Sequence, residues 1–188
     1  MEMKINERGY WEGVDKSKHL FDERLANSIL HLIIKNQLSE VMDFGCGDGS
    51  YTKLLNDNGV PCMGVDGNPN TPELSGSTCT VLDLSKPITH LRKVDLVLCL
   101  EVGEHIPLEY EHILLNNITD HTNKAIIMSW AIPGQSGFGH VNCRSIDHIV
   151  SQVEMRGFKY CPAETIFLRT RAYRSWFKET IMVFYTTK

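Results

Sequence analysis

No two cysteines in this chain form a C-x-x-C pair. The six (Cys46, Cys62, Cys79, Cys99, Cys143 and Cys161) are scattered, and four of them fall inside apolar runs. Cysteine in such a run behaves as a small buried hydrophobe, so the thiols are expected to be reduced and the compartment cytoplasmic. No apolar stretch approaches the roughly 20 residues that a membrane span needs. The polar opening, MEMKINERGYWEG, does not read as a signal peptide. Charge of one sign is scarce too: the formal net charge is −4, which sets up no field to gather nucleic acid or an anionic membrane. There is no internal repeat, low-complexity tract or evident linker. The 188 residues are therefore expected to form one domain with a core of its own.

What is present is an alternation of strand-like and helix-like segments. Residues 17–37 carry apolar side chains at Leu20, Phe21, Leu25, Ile29, Leu32 and Ile33, which is helical spacing, with Ser17 as the expected N-cap. Short apolar runs at 40–44, 61–66, 77–83, 94–100 and 124–130 read as strands. Residues 50–59, 108–122 and 145–157 read as helices, two of them closed by Gly59 and Gly157. The central strands are apolar on both faces, which predicts a parallel sheet with helices on both sides. Residues 84–93 are short for a crossover helix. After residue 157, FKYCPAETIFLRT and ETIMVFYTT both read as extended, which predicts an antiparallel hairpin at one edge.

The informative stretch is VMDFGCGDGSYTKLL, residues 41–55. Gly45, Gly47 and Gly49 follow a strand and precede a helix. Glycines there free the backbone and remove Cβ atoms at the sheet edge where α/β proteins bind ligands. A phosphate loop would need a following Lys-Ser or Lys-Thr, and a dinucleotide loop would need glycine where Ser50 stands. Asp43, just before the glycines, suits a cationic ligand better than a pyrophosphate. Asp66 closes the next strand, where a carboxylate can accept both hydroxyls of a ribose. Asp83 closes the third and can accept from an adenine amino group. Three aspartates at three successive strand ends make a site on one edge of the sheet.

In that order, VMDFGCGDGSYT, GVDGNP, VLDLS and VDLVLCLEVGEHIP resemble the motifs of class I S-adenosylmethionine-dependent methyltransferases, over roughly residues 40–160. The resemblance implies a Rossmann-like, doubly wound α/β fold with a mostly parallel seven-stranded sheet and an antiparallel edge hairpin. It also implies S-adenosyl-L-methionine as donor and S-adenosyl-L-homocysteine as product. The backbone at Gly45, Cys46 and Gly47 would hold the methionyl part, with Asp43 on its amino group. Asp66 and Gly67 would take the ribose, Asp83 and Leu84 would border the adenine, and Leu100 would complete the pocket. In such proteins an N-terminal segment often folds over the donor. Residues 1–37 would then be a lid and a helix, with Tyr10, Trp11 and His19 in the lid, residues 40–160 the core, and 161–188 the hairpin region. The other reading is that Trp11 only packs the first helix onto the sheet.

Methyl transfer from a sulfonium needs mainly position and a dry pocket. A base is needed only where the acceptor must lose a proton. Candidates follow the fourth strand (Glu101, Glu104 and His105) and the fifth (Trp130, Gln135, His140, Asn142 and Arg144). Three readings stand. His140 or His105, with Glu104, serves as general base. Glu101, Glu104, His105 and His140 hold Mg²⁺ or Mn²⁺, a pattern similar to that of O-methyltransferases of ubiquinone biosynthesis and of small-RNA 3′ ends. Or the glutamates merely cap the next helix. Glu101, Trp130, Gln135 and Asn142 would face the acceptor.

Arg169, Arg171, Arg174 and Lys178 interleave with Tyr173 and Trp176, a composition that can hold nucleic acid. The chain as a whole is acidic, with a formal net charge of −4, so a small-molecule acceptor methylated on oxygen or nitrogen is the first expectation. A metal-assisted 2′-O-methyltransferase acting on RNA or sugar hydroxyls comes second, and a non-catalytic donor-binding partner subunit third. A nicotinamide dehydrogenase is disfavoured by Ser50 and Asp43.

Overall fold

The computed structural model describes residues 3–13 and 16–187. It opens with a two-stranded antiparallel ribbon, β1 (Lys4–Ile5) and β2 (Trp11–Glu12). Helix α1 (Glu23–Lys35) follows a single turn at Lys16–Lys18. Ser17 lies in that turn and is not the cap. Asp22 caps α1 instead: its Oδ1 accepts from Leu25 N at 2.9 Å, while its Oδ2 accepts from Tyr173 N at 2.8 Å and Arg174 N at 2.7 Å. A carboxylate satisfies three N–H groups at once where a serine hydroxyl cannot.

The chain then alternates β3 (Val41–Phe44), α2 (Ser50–Asp57), β4 (Cys62–Asp66), the one-turn α3 (Thr71–Leu74), β5 (Cys79–Val81), β6 (Val94–Cys99), α4 (Glu111–Asp120), β7 (Thr122–Met128), α5 (Ile146–Glu154) and β8 (Phe158–Tyr160). It ends with α6 (Pro162–Arg171), α7 (Phe177–Thr180) and β9 (Met182–Thr186). No helix spans the link from β5 to β6, as its length suggested.

The seven-stranded sheet runs β5-β4-β3-β6-β7-β9-β8. The first five strands are parallel, and β9 is antiparallel to both β7 and β8. The antiparallel edge is as expected, but its connection is not. Residues 162–171, read as extended, form α6. Its buried Thr165 and Leu168 recur at helical spacing, Ala172 follows four residues on, and Pro162 occupies the first turn, where its missing N–H costs nothing.

Both faces of the sheet are covered. On one, Leu96, Leu98, Ile127 and Val183 pack with Leu25, Ile29 and Leu32 of α1 and Leu168 of α6. On the other, Met42, Phe44, Val97, Ile126 and Met128 pack with Leu114 and Ile118 of α4 and Ile149 and Val153 of α5. Burying each such side chain contributes about 1.5–3 kcal/mol. Strand order reverses between β3 and β6, and that switch point opens a crevice at the carboxyl ends of the strands. Among the described residues, no helix is long and apolar enough to cross a membrane. All six cysteines are free.

Candidate active site

The crevice is a cleft of about 840 Å³. Its floor is the turn after β3. Gly45 N and Cys46 N both donate to Val65 O, at 2.8 and 3.1 Å, which bends the chain sharply off the strand. Gly45 has φ +77° and Gly47 φ +57°, conformations glycine adopts without strain. A Cβ on Gly45 would stand 2.2 Å from Val102 Cγ2, and one on Gly47 2.6 Å from His19 Nδ1. Side chains from after β6 and from before α1 therefore close on this turn from two sides.

Asp43 and Asp66 sit at the ends of β3 and β4, Asp83 lies two residues past β5, and each is differently employed. Asp66 Oδ2 accepts from Gly47 N at 3.0 Å and Oδ1 from Asn68 N at 2.8 Å, so it ties two cleft loops together. Asp43 is buried and accepts from Thr52 Oγ1 at 2.8 Å. Desolvation outweighs that bond and pushes its carboxyl up to about 7. Asp83 accepts from Ser85 N at 3.0 Å and Ser85 Oγ at 2.6 Å, and pairs with Lys86 at 3.2 Å and Arg8 at 3.8 Å. Burial alone would raise its carboxyl, but the Ser85 and Lys86 bonds win and hold it below the usual range.

The N-terminal ribbon crosses the mouth of the cleft. The Cβ that Gly67 lacks would lie 2.6 Å from Tyr10 Cβ. Trp11 lies tilted beside His19, with ring centroids 5.9 Å apart, and meets His105 edge to face at 5.2 Å and Phe138 at 6.1 Å. Arg8 donates to Ser85 Oγ at 3.1 Å and lies over the Tyr110 ring.

The far end of the cleft is built by the loops after β6 and β7. Glu101 has φ +55°, the left-handed region that costs a non-glycine residue about 1–3 kcal/mol. It is fixed there by Ser129: Glu101 N donates to Ser129 Oγ at 2.8 Å, and Ser129 Oγ donates to Glu101 Oε1 at 2.7 Å. Burial raises its carboxyl. His105 and His140 meet edge to face, centroids 5.1 Å apart. His105 Nδ1 lies 3.2 Å from Gly139 O and His140 Nδ1 3.2 Å from Gln135 O. A carbonyl only accepts, so each Nδ1 carries a proton. Burial, then the His140 ring, lowers His105 to about 4, so it is neutral near pH 7. Glu104 is fully buried and neither of its carboxylate oxygens has a hydrogen-bond partner among the described residues. Burial, reinforced by the charge of Glu101, pushes its carboxyl far up. Glu104, His105 and His140 bring one ligand atom each within 4.8 Å of one another.

Most of the residues singled out in the sequence thus meet in one place. Asp43, Gly45, Cys46 and Gly47 line the cleft at the end of β3, Asp66 and Gly67 at β4, and Asp83 and Leu84 at β5. Leu100, Glu101 and His105 line it after β6, Gln135 and His140 after β7, and Tyr10, Trp11 and His19 from the N-terminal side. Three expectations need correction. Trp130 and Asn142 do not face the cleft. Trp130 is fully buried against Gly103 and donates its Nε1 to Asn142 O at 2.6 Å. Asn142 Nδ2 donates to Glu111 Oε2 at 3.0 Å, the carboxylate that also takes Arg144 Nε at 2.7 Å, so both residues are bound into the scaffold under the loop. Glu101, a neighbour of Glu104, is not one of the three residues whose ligand atoms fall within 4.8 Å of one another; Ser129 and Thr180 hold its Oε1. The basic segment also differs from its reading. Arg171 stacks on Phe167 at 3.8 Å and Arg169 donates to Ile181 O at 2.9 Å, whereas Ser175, Trp176 and Glu179 line the cleft. Tyr51 and Asn68 also line it. Their only sequence signal was adjacency to the glycine turn and to Asp66.

Comparison with known proteins places this geometry. The family described as methyltransferase domain matches residues 17–163. No curated protein matches in sequence. Among solved structures, magnesium protoporphyrin IX methyltransferase from Synechocystis with bound S-adenosylhomocysteine is 18% identical, with a TM-score of 0.65 over 86% of this chain and 82% of that one. The N-methyltransferase NodS from Bradyrhizobium japonicum, also with S-adenosylhomocysteine, is 12% identical with a TM-score of 0.66 over 88% and 87%. The methyltransferase domain of a bacterial Hen1 is 15% identical with a TM-score of 0.61 over 87% and 96%. With the reversed strand order, the glycine turn and the aspartate at each of three strand ends, the chain belongs to the methyltransferase-domain family and is a class I S-adenosylmethionine-dependent methyltransferase.

Proposed function

We propose that this methyltransferase acts on an oxygen or nitrogen of a small-molecule acceptor, with His140 taking the acceptor's proton. The observation that carries this reading is the His105–His140 pair at the end of the cleft, each ring tied through Nδ1 to a carbonyl, with His140 Nε2 lying over Gly137, where there is no Cβ. The cleft suits the donor: it holds acceptors for hydroxyl and amino groups at Asp66 and Asp43, and partnerless buried polar atoms at Trp11, His19 and Asn68. When bound, the donor supplies an electrophilic methyl on a sulfonium. The protein's part is placement. Asp66 holds the ribose, Asp43 the amino group, and Asp83 with Leu84 the adenine edge, while Tyr10 and Trp11 shut out water as a lid. Glu101, held in a strained backbone conformation, orients an acceptor N–H or O–H. His140 Nε2 removes the proton as the new bond forms, an effect worth typically 10²–10⁴ in rate. His105, neutral, supports the His140 ring edge-on. The six free thiols suit a reducing cytoplasm.

One observation favours a second reading. A buried carboxyl group beside two imidazoles, once its proton is displaced, is a donor set for a divalent cation such as Mg²⁺ or Mn²⁺. Glu104, His105 and His140 would hold that ion, and it would lower the pKa of a bound acceptor hydroxyl on a sugar or an RNA end.

The deciding experiment follows S-adenosylhomocysteine formation across a panel of phenols, catechols, amines, carboxylates and ribose 2′,3′-diols, with and without chelator. Turnover of a small acceptor in chelator supports the first reading. Turnover confined to diols and dependent on added metal replaces it with the second.

A further inference from the structure

Two of the six cysteines meet inside the fold, beside the glycine turn. Cys79 opens β5 and stands in register with Gly64 of β4. Cys46 follows β3, on the other side of β4, so strand order alone would keep the two apart. The turn brings them together. Gly45 N and Cys46 N both donate to Val65 O, so the chain curls over β4 as it leaves β3. Gly64 supplies the room. The Cβ it lacks would stand 2.4 Å from Cys79 Sγ and 3.1 Å from Cys46 Cβ, so both side chains reach across the same bare stretch of backbone. Both are buried, and their thiols are hydrogen-bonded to each other.

The pair is unequal in the way that thiol oxidation needs. The bond from Cys46 is the largest influence on the Cys79 thiol and, with Thr78 Oγ1 at 3.7 Å, pushes it down to about 6. Cys79 is therefore largely thiolate near pH 7, and the thiolate is the reactive form. The same bond, together with burial, pushes the Cys46 thiol far up, so Cys46 keeps its proton. Cys46 also lines the cleft, which gives a water-sized oxidant a way to the pair.

We propose that Cys46 and Cys79 close into a reversible disulfide across Gly64 when hydrogen peroxide enters the cleft, and that closure weakens donor binding. The Cys79 thiolate attacks one peroxide oxygen. An S–O bond forms, the O–O bond breaks, and the leaving hydroxide takes a proton from solvent. Cys46 sulfur then attacks Cys79 sulfur. The S–S bond forms, the S–O bond breaks, and the second hydroxide leaves with the proton of Cys46. Two thiols are oxidised and one peroxide is reduced to two waters. The effect on the donor rests on the reading of the cleft as a donor site, since Cys46 belongs to the turn assigned to the methionyl part. Drawing Cys46 towards β5 pulls that turn out of shape. It also crowds Thr52 Oγ1, which lies 2.5 Å from the same point over Gly64 and donates to Asp43.

The test treats the full chain with hydrogen peroxide, then maps its disulfides by mass spectrometry and titrates S-adenosylhomocysteine by calorimetry. A cut at Asp66 separates Cys79 from Cys62, the competing thiol on β4. The expected result is a Cys46–Cys79 cross-link, a dissociation constant raised about tenfold or more, and recovery of both with dithiothreitol. Cys79→Ser should bind S-adenosylhomocysteine within about twofold of the unaltered chain, before and after peroxide. Cys79→Ala serves the same purpose if serine disturbs β5. A cross-link to Cys62 instead, or no cross-link, would overturn the proposal. So would a Cys46–Cys79 cross-link that leaves the affinity unchanged, or an equal loss of affinity in Cys79→Ser. If the reduced, unaltered chain binds no S-adenosylhomocysteine, the donor reading fails and the switch with it. If the reduced chain binds and the oxidised chain binds equally well, the switch alone fails.

Discussion

The imidazoles of His105 and His140 come from loops 35 positions apart in sequence and meet with ring centroids 5.1 Å apart, each anchored at Nδ1 by a backbone carbonyl. That anchoring fixes the tautomer, and the tautomer decides which nitrogen can do chemistry. With His140 as the proposed base at the acceptor end, replacing it with alanine should lower kcat by about 10²–10⁴ and leave donor affinity within about twofold. Stopped-flow turnover alongside calorimetric titration of the donor measures both. Full turnover in His140→Ala would end its assignment as the base.

Asp43 gives a pH prediction. Its carboxyl titrates near 7 in the folded protein against 3.8 when unperturbed. Between those values the folded chain holds a proton that the unfolded chain has lost, so stability should fall as pH rises through the window and level off above it. Asp43→Asn should flatten the dependence, read as melting temperature against pH from 4 to 8. A cationic amino group beside Asp43 favours the carboxylate, so donor binding near pH 6.5, where an α-amino group is already protonated, should release a fraction of a proton. Binding heats in buffers of different ionisation enthalpy report it, and Asp43→Asn should abolish it.

Asp66 bridges Gly47 N and Asn68 N, so its loss unties two cleft walls as well as removing the proposed ribose contact. Asp66→Ala should weaken S-adenosylhomocysteine by tenfold or more. An unchanged dissociation constant would refute the ribose assignment.

Gly67 is where Tyr10 of the N-terminal ribbon rests. A methyl there would stand 2.6 Å from Tyr10 Cβ, backbone-proximal atoms that cannot rotate away. Gly67→Ala should therefore lift the N-terminal ribbon. The expected signs are faster donor release and faster proteolysis near residue 13, with the melting temperature nearly unchanged because the ribbon adds little core. Donor release at the unaltered rate would show that the ribbon is not a lid.

Trp130 tests the boundary between site and scaffold. It is fully buried on Gly103 and bonded to Asn142 O. Trp130→Ala should cost about 3–5 kcal/mol of stability, measured by denaturant unfolding. Trp130→Phe should keep KM for the acceptor while lowering the unfolding midpoint.

Much of this was legible because it rests on local rules. An apolar run, an aspartate and a glycine turn sufficed to place the ends of β3, β4 and β5. Other parts depend on tertiary contacts that no window of sequence contains. Thr165, Ile166 and Phe167 favour a strand by propensity, yet packing of α6 against α1 makes them helical, which Pro162 and the Thr165–Leu168 spacing only hinted at. Asp22 takes the cap from Ser17 because Tyr173 and Arg174 also need its carboxylate. Trp130 continues the two-residue alternation of Ile126 and Met128 into one core, a parity visible in the sequence. Asn142 was beyond reach, since its partner Glu111 lies 31 positions away in sequence.

Strand β9 lies between β7 and β8, and β8 pairs with nothing else in the sheet. This fixes an order of assembly. The five parallel strands from β5 to β7 can pair as they are made, but residues 158–160 have no edge to join until 182–186 have been synthesised and inserted. Until then β7 presents an open flank of unpaired backbone, the kind of edge on which strands from other molecules add. The interval between making β7 and making β9 is therefore when this chain is most exposed to aggregation. Slowing translation across 162–180 should lower its soluble yield more than slowing it across any earlier segment.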